Sequence, residues 1–199
     1  MKNRQTLFFL ATVVLFIVGV VVFQLTSPPL IHGSIIDPPK AMPDFTLHSA
    51  SGPVSLSSFR GKTVVLYFGY TSCPDVCPTT LSSVKKAMQG LGSAADEVQV
   101  LFVSVDWTRD TPEKLASYAS AFGKNVIGLT GSQEEIDAVT KAFGIFYKIN
   151  EPVGDSTFYT VDHTASVLVL DKSGNLILTW PYGLTADEFL DDLKVLVRR

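Results

Sequence analysis

Residues 63–69 read TVVLYFG, a run of β-branched, aliphatic and aromatic residues without polar alternation. A strand with one wet face alternates apolar and polar side chains. A run that does not alternate belongs at the centre of a sheet covered on both faces, the habit of strands in α/β layers. Residues 98–105 (VQVLFVSV) repeat the pattern and predict a second buried strand. The 199 residues are 46 % hydrophobic, enough for one packed domain and too apolar for a disordered chain. Two cysteines allow a single bridge, which cannot staple a chain of this length, so a disulfide scaffold is excluded.

The remaining pattern alternates strands with helices and shows no internal repeat. Residues 45–47 and 54–56, separated by Ser51-Gly52-Pro53, predict a short hairpin. Pro78 opens a helix whose apolar spacing runs over 79–88 and ends at Gly90 and Gly92. Thr111-Pro112-Glu113 opens another, to about residue 122. Ser132 with Glu135 three residues on forms a capping box ahead of a helix to about residue 143. Residues 166–170 and 176–180, joined by Asp171-Lys172-Ser173-Gly174-Asn175, predict a hairpin, and 185–197 an amphipathic closing helix. These elements imply an α/β fold, a mixed sheet sandwiched by helices, over residues 44–199.

The N-terminus is a different kind of segment. Residues 7–25 (LFFLATVVLFIVGVVVFQL) are nearly all apolar, and nothing from 5 to 36 carries a formal charge. As a helix such a run covers about 28 Å, close to the ~30 Å hydrocarbon core of a bilayer. Lys2 and Arg4 favour a cytoplasmic N-terminus. The run exceeds a signal-peptide h-region, and no small-x-small cleavage site follows Phe23. We therefore expect residues 1–26 to be a retained transmembrane helix. A transit peptide has no room before it, so the expected location is a bacterial inner membrane with the domain in the oxidising periplasm. Residues 27–43 hold five of the eleven prolines and no apolar periodicity, which reads as a Pro-rich tether with a reach of about 50 Å. His32 and Met42, in or beside it, read as solvated linker residues rather than metal ligands. The net charge is −3, and without Lys2 and Arg4 the basic count falls to 14 against 19 acidic residues, leaving about −5. Such a surface excludes a nucleic-acid partner.

Both cysteines lie in the segment Cys73-Pro74-Asp75-Val76-Cys77-Pro78, where the central strand gives way to a helix, the edge at which α/β sheets bind ligands. A four-residue spacing on a helical turn puts two sulfurs on one side, and a helix N-terminus lowers thiol pKa. Paired soft thiolates suit Cu(I) or zinc but call for a third ligand. Of the three histidines His163, on a loop before the strand at 166–170, is the best placed, whereas His48 lies in a hairpin. Spacing alone leaves open whether His163 is a ligand or a hydrogen-bonded surface residue. Asp75 is either a tuner of thiol pKa or a turn-stabilising residue, and Asp106 and Asp162 are either supports of the site or loop caps.

These residues resemble the Sco/SenC copper-binding proteins, thioredoxin-like assembly factors for cytochrome c oxidase. The resemblance is carried by Asp44-Phe45-Thr46-Leu47, the Gly61-Lys62 turn into TVVLYFGYT, the cysteine segment, Val103-Ser104-Val105-Asp106, Arg109-Asp110-Thr111-Pro112 and Val161-Asp162-His163-Thr164. It implies a thioredoxin-like fold and one copper ion, Cu(I) or Cu(II), on Cys73, Cys77 and His163. The chain departs from the family pattern at Ser72, where the family commonly has His, and at Trp107-Thr108, where it commonly has Pro-Glu.

The expected function is that of a membrane-tethered metallochaperone, not an enzyme, which delivers copper to the dinuclear site in the copper-bearing subunit of cytochrome c oxidase. Other periplasmic copper chaperones or thiol reductants are further expected partners. A bridge between Cys73 and Cys77 is sterically open and would abolish the metal site. The rival is a thiol-disulfide oxidoreductase that reduces partner cysteines before metallation. Against it stand the C-x-x-x-C spacing, where redox motifs use C-x-x-C, and a histidine that reduction does not need. A peroxiredoxin would have Thr three residues before its reactive cysteine, where this chain has Tyr70 or Pro74.

Overall fold

The computed structural model describes residues 2–26, 30–152 and 158–198. The chain forms two compact units, Met1–Leu30 and Ile31–Arg199. The first is one helix, α1 (Lys2–Thr26), whose described side chains, among them Phe9, Leu15 and Phe16, are exposed. Among the described residues no helix is long and apolar enough to cross a membrane.

The second unit is built on a six-stranded sheet in the order β1-β10-β9-β4-β5-β6. Its centre is β4 (Thr63–Gly69) beside β5 (Val98–Ser104), buried at every position. Successive side chains of a strand point to opposite faces, so complete burial means that both faces are covered, as the unbroken apolar runs predict. β6 (Val126–Leu129) extends the parallel half. β9 (Val167–Leu170), β10 (Asn175–Trp180) and β1 (Ser34–Ala41) add antiparallel strands on the other side. The hairpin β2–β3 (Thr46–Ser49, Gly52–Ser55) and the hairpin β7–β8 (Tyr147–Ile149, Val161–His163) stand outside this sheet.

The helices are α2 (Val76–Leu91), α3 (Pro112–Ser120), α4 (Gln133–Phe143) and α5 (Ala186–Leu196). α2 packs on α5 and α3 on β6. Their starts follow local rules. Thr111 caps α3 with Pro112 in its first turn, and capping boxes at Ser132/Glu135 and Thr185/Glu188 open α4 and α5.

The tether expectation is corrected at residues 34–41, which form β1. The prolines that argued against a strand fall in a register irregularity between Ile35 and Lys40, and on an edge strand the missing N–H faces no partner. Met42 is likewise buried in the core rather than solvated. Residues 27–29 of the expected tether lie outside the described residues.

Entry into β1 is fixed by Asp192 of α5, a fully buried carboxylate. It accepts hydrogen bonds from the backbone N–H of His32 (2.8 Å) and Gly33 (3.0 Å) and from Trp180 Nε1 (2.7 Å). Trp180 in turn packs edge-on against Phe189 at 4.9 Å between ring centroids. Removing the carboxylate strands three donors, one of them deeply buried, at ~1–3 kcal/mol for each that finds no water. We expect Asp192→Ala to cost about 2–4 kcal/mol, read as a lower urea midpoint with an unchanged slope.

Candidate metal centre

β4 and β5 are parallel and end at the same edge of the sheet, where Val105 N–H bonds Gly69 O at 2.8 Å. The loop after β4 leads through the buried Tyr70 to Cys73 and into α2, with Cys77 buried in its first turn. β9 runs antiparallel to β4, with Val167 opposite Tyr67, so the residues just before β9 arrive at this edge too. That register carries His163, the last residue of β8, to the cysteines; it is a strand residue rather than the loop residue expected.

The three side chains converge. Cys77 Sγ lies 3.4 Å from His163 Nε2, and the ligand atoms of Cys73, Cys77 and His163 all lie within 4.8 Å of one another. Two sulfurs bound to one ion stand about twice a ~2.3 Å metal–sulfur bond apart at most. One ion therefore fits all three after a contraction of a few tenths of an ångström. Among the described residues this is the one such cluster of three potential ligands. The cluster opens on a cleft walled by Tyr70, Pro74, Val76 and Val161.

The two thiols are unlike. Cys73 is half-buried, and its pKa is lowered to about 5, chiefly because the Cys77 thiol donates to it. Burial opposes the shift, while backbone N–H groups of Cys77 (3.4 Å) and Asp75 at the start of α2 add to it. Cys77 is pushed strongly upward by its hydrogen bond to Cys73, by burial and by the neighbouring anion. The pair thus holds one proton, on the inner sulfur. On the imidazole, Nδ1 lies 3.1 Å from Thr164 O, a carbonyl that can only accept, so Nδ1 carries a hydrogen and Nε2 is the nitrogen that faces the sulfurs. The edges of Tyr67 and Tyr70 frame the ring at 6.2 and 5.9 Å between centroids.

Gly69 makes the arrangement sterically possible. A Cβ there would stand 2.7 Å from Cys77 Sγ and 2.8 Å from a ring atom of Phe102. Its role was not read from the sequence, although a glycine closing a buried strand beside a cysteine motif is the signal that points to it.

The other candidates separate. Asp75 is exposed and accepts from Thr79 Oγ1 at 3.1 Å, a turn-stabilising contact. Asp162 is exposed opposite Lys148 in the β7–β8 register. Asp106 is fully buried and binds Arg109 Nε (2.5 Å) and the Tyr159 hydroxyl (2.8 Å). His48 is exposed with Nε2 3.4 Å from Glu135, and His32 lies beside Glu188 at 3.7 Å, so neither joins the site. Trp107 is half-buried against the core.

The SCO1/SenC family model matches residues 34–198, the second unit from β1 onward. The chain belongs to the SCO1/SenC family. The SCO2-like protein RP587 of Rickettsia prowazekii is 33 % identical over 151 residues, which cover 75 % of this chain and 74 % of that one. Two solved Sco structures share the fold. Apo Sco1 of Thermus thermophilus is 42 % identical with a TM-score of 0.78, covering 85 % of this chain and 99 % of its own. ScoI of Bradyrhizobium japonicum, solved with copper bound, is 34 % identical with a TM-score of 0.71, covering 78 % and 99 %. The resemblance carried by the motifs is thus a family relation, and the mixed sheet with flanking helices is the Sco fold.

The thiolate is the nucleophile, so alkylation of reduced protein reports the ionised fraction. With iodoacetamide we expect the Cys73 rate to rise with pH through about 5 and to level off above it. Cys77 stays protonated and unmodified at neutral pH, which peptide mapping by mass spectrometry resolves.

Proposed function

We propose that this SCO1/SenC protein is a copper carrier rather than an enzyme, holding one ion on Cys73, Cys77 and His163. The carrying observation is the convergence of these three ligand atoms within 4.8 Å, two from the start of one helix and one from 86 positions further along the chain. Two thiolates and a neutral imidazole are a soft donor set suited to Cu(I). Copper bound in the Bradyrhizobium japonicum relative supports the choice of metal.

In this reading the recipient is the dinuclear copper site of cytochrome c oxidase, and the apolar run at residues 7–25 is the anchor. As a continuous helix that sequence covers about 28 Å, near the ~30 Å hydrocarbon core. Its exposed Phe9, Leu15, Phe16 and Ile17 suit lipid better than water. Lys2 and Arg4 favour a cytoplasmic N-terminus, which supports a domain on the periplasmic side of a bacterial inner membrane. Other periplasmic copper chaperones or thiol reductants complete the set of partners.

Uptake of Cu(I) requires the proton held on Cys77 to leave, so apparent affinity falls as the pH is lowered. Oxidation of the pair to a disulfide removes both sulfur donors, and a thiol reductant restores them.

One observation favours a second reading, thiol-disulfide exchange with a partner. The half-exposed, low-pKa Cys73 beside a buried, protonated Cys77 is the asymmetry of an attacking and a resolving thiol. A Cu(I) titration against a competing chelator separates the two, with X-ray absorption to count donors. We expect two sulfurs and one nitrogen in the reduced protein and no tight binding after oxidation. His163→Ala is expected to lose the nitrogen and at least ~10–100-fold in affinity, the cost of losing even an outer partner of a metal ligand, while disulfide exchange persists. Cys73→Ser is expected to lose both. Unchanged copper affinity in His163→Ala would overturn the carrier reading in favour of exchange.

A further inference from the structure

β8 presents His163, yet β7–β8 is a two-stranded hairpin unpaired with the main sheet. Such a hairpin is marginal by itself, so something else must hold it against the cysteines. We propose that the turn at 106–110 is a two-armed clamp that sets the distance between the halves of the metal site, Asp110 gripping the cysteine loop through Thr71 and Asp106 with Arg109 gripping the histidine hairpin through Tyr159.

The turn is anchored first. It follows β5 directly, Asp110 N–H bonds Asp106 O at 3.0 Å, and Ser104 Oγ links the two aspartates. That link runs to the Asp110 carboxylate and the Asp106 backbone: the hydroxyl donates to Asp110 Oδ2 at 2.7 Å and accepts from Asp106 N–H at 3.1 Å. Both aspartates are essentially inaccessible to water, so each unmade bond there is costly.

The first arm is Asp110. It accepts from Thr71 N–H (2.8 Å) and Thr71 Oγ1 (2.5 Å), two residues before Cys73, with Lys114 Nζ at 2.9 Å as its counter-charge. The second arm is Asp106, which accepts from the Tyr159 hydroxyl at 2.8 Å and from Arg109 Nε at 2.5 Å. Arg109 donates to Tyr159 O at 2.9 Å and lies 3.4 Å over the Tyr159 ring. Tyr159 is thereby held at its ring, its hydroxyl and its carbonyl, just ahead of β8. The guanidinium also stands 5.8 Å from the ring of Tyr70, which frames His163. None of these groups touches the ligand atoms; they are positioning residues that reach the metal through His163 and Cys73.

The inference rests on the copper reading for its consequence, but its geometry is testable without metal. In the metal-free full chain, amide exchange is followed at Asn150, bonded to Thr160 O, and at Thr164, bonded to Phe146 O, the two ends of the hairpin. Tyr159→Phe keeps the ring and loses the hydroxyl. Arg109→Lys keeps the charge and loses the planar fork. Both are expected to speed exchange at Asn150 and Thr164, with β4 and β5 amides and the Cys73 alkylation rate unchanged. Thr71→Val is expected to do the reverse, altering Cys73 alkylation and sparing the hairpin. With copper, Tyr159→Phe is expected to bind about 10-fold more weakly with a diminished nitrogen contribution. Unchanged hairpin exchange in Tyr159→Phe and Arg109→Lys, or a uniform rise that includes β4 and β5, overturns the clamp. So does unaltered copper affinity in Tyr159→Phe when the wild type binds through two sulfurs and a nitrogen. A wild type that takes no nitrogen donor overturns the copper reading instead, and the exchange measurements still decide the clamp.

Discussion

Because every residue of β4 and β5 is buried, the middle of the sheet must be covered on both faces, and the chain has to leave β4 by turning into a helix that packs back across it. That turn is where Cys73 and Cys77 sit, and it is tight enough that the space beside the last residue of β4 is already taken by the Cys77 sulfur. The burial that stabilises the domain and the placement of the inner sulfur are thus one constraint. A side chain at Gly69 would have to displace either a metal ligand or Phe102 of β5.

The asymmetry of the two thiols follows from the same geometry. Cys77 donates a hydrogen bond to Cys73 and is buried behind the turn against Tyr67 and the sheet, which disfavours a second negative charge there. Cys73 lies in front of the helix start, where the Cys77 thiol and then backbone N–H groups donate to it. A metal cation supplies what Cys77 lacks, a positive charge at bonding distance, and so exchanges for its proton. A partner's disulfide supplies no such charge. The inner sulfur's environment is the physical support for the carrier reading proposed above over the exchange reading, although both begin at Cys73.

Much of this was legible in the sequence because it is written in local rules. The two central strands follow from unbroken apolar runs, α3 from a Thr-Pro start, and α4 from its capping box. What stayed illegible depends on contacts distant in sequence. β1 carries two prolines and no periodicity, and it is a strand because β10 offers an edge and Asp192 holds the entry. β7 and β8 are too short for any pattern, and Tyr159 belongs to no motif. His163 lies between these cases. Its spacing from the cysteines says nothing by itself, but once β9 is known to run antiparallel beside β4, a residue just ahead of β9 must arrive where β4 ends. Topology, rather than any property of the histidine, brings it to the cysteines.

The division of labour among the three ligands bears on what a carrier needs. Cys77 sits in the first turn of α2 and Cys73 in the loop ahead of it, whereas the imidazole stands on a hairpin outside the main sheet, packed on the core through Val161 and tied to the turn at 106–110 through Tyr159. If the competent arrangement is occupied a fraction f of the time, the apparent dissociation constant is the intrinsic one divided by f. A net change of ~1.4 kcal/mol in the hairpin's docking, about the worth of one hydrogen bond to a charged group, then shifts affinity by up to roughly tenfold without touching a ligand. A site made of three equally rigid ligands could be retuned only by replacing one of them. Placing one donor on a separately held hairpin lets affinity be set low enough for release while the identity of the donors, and with it the preference for a soft ion, stays fixed.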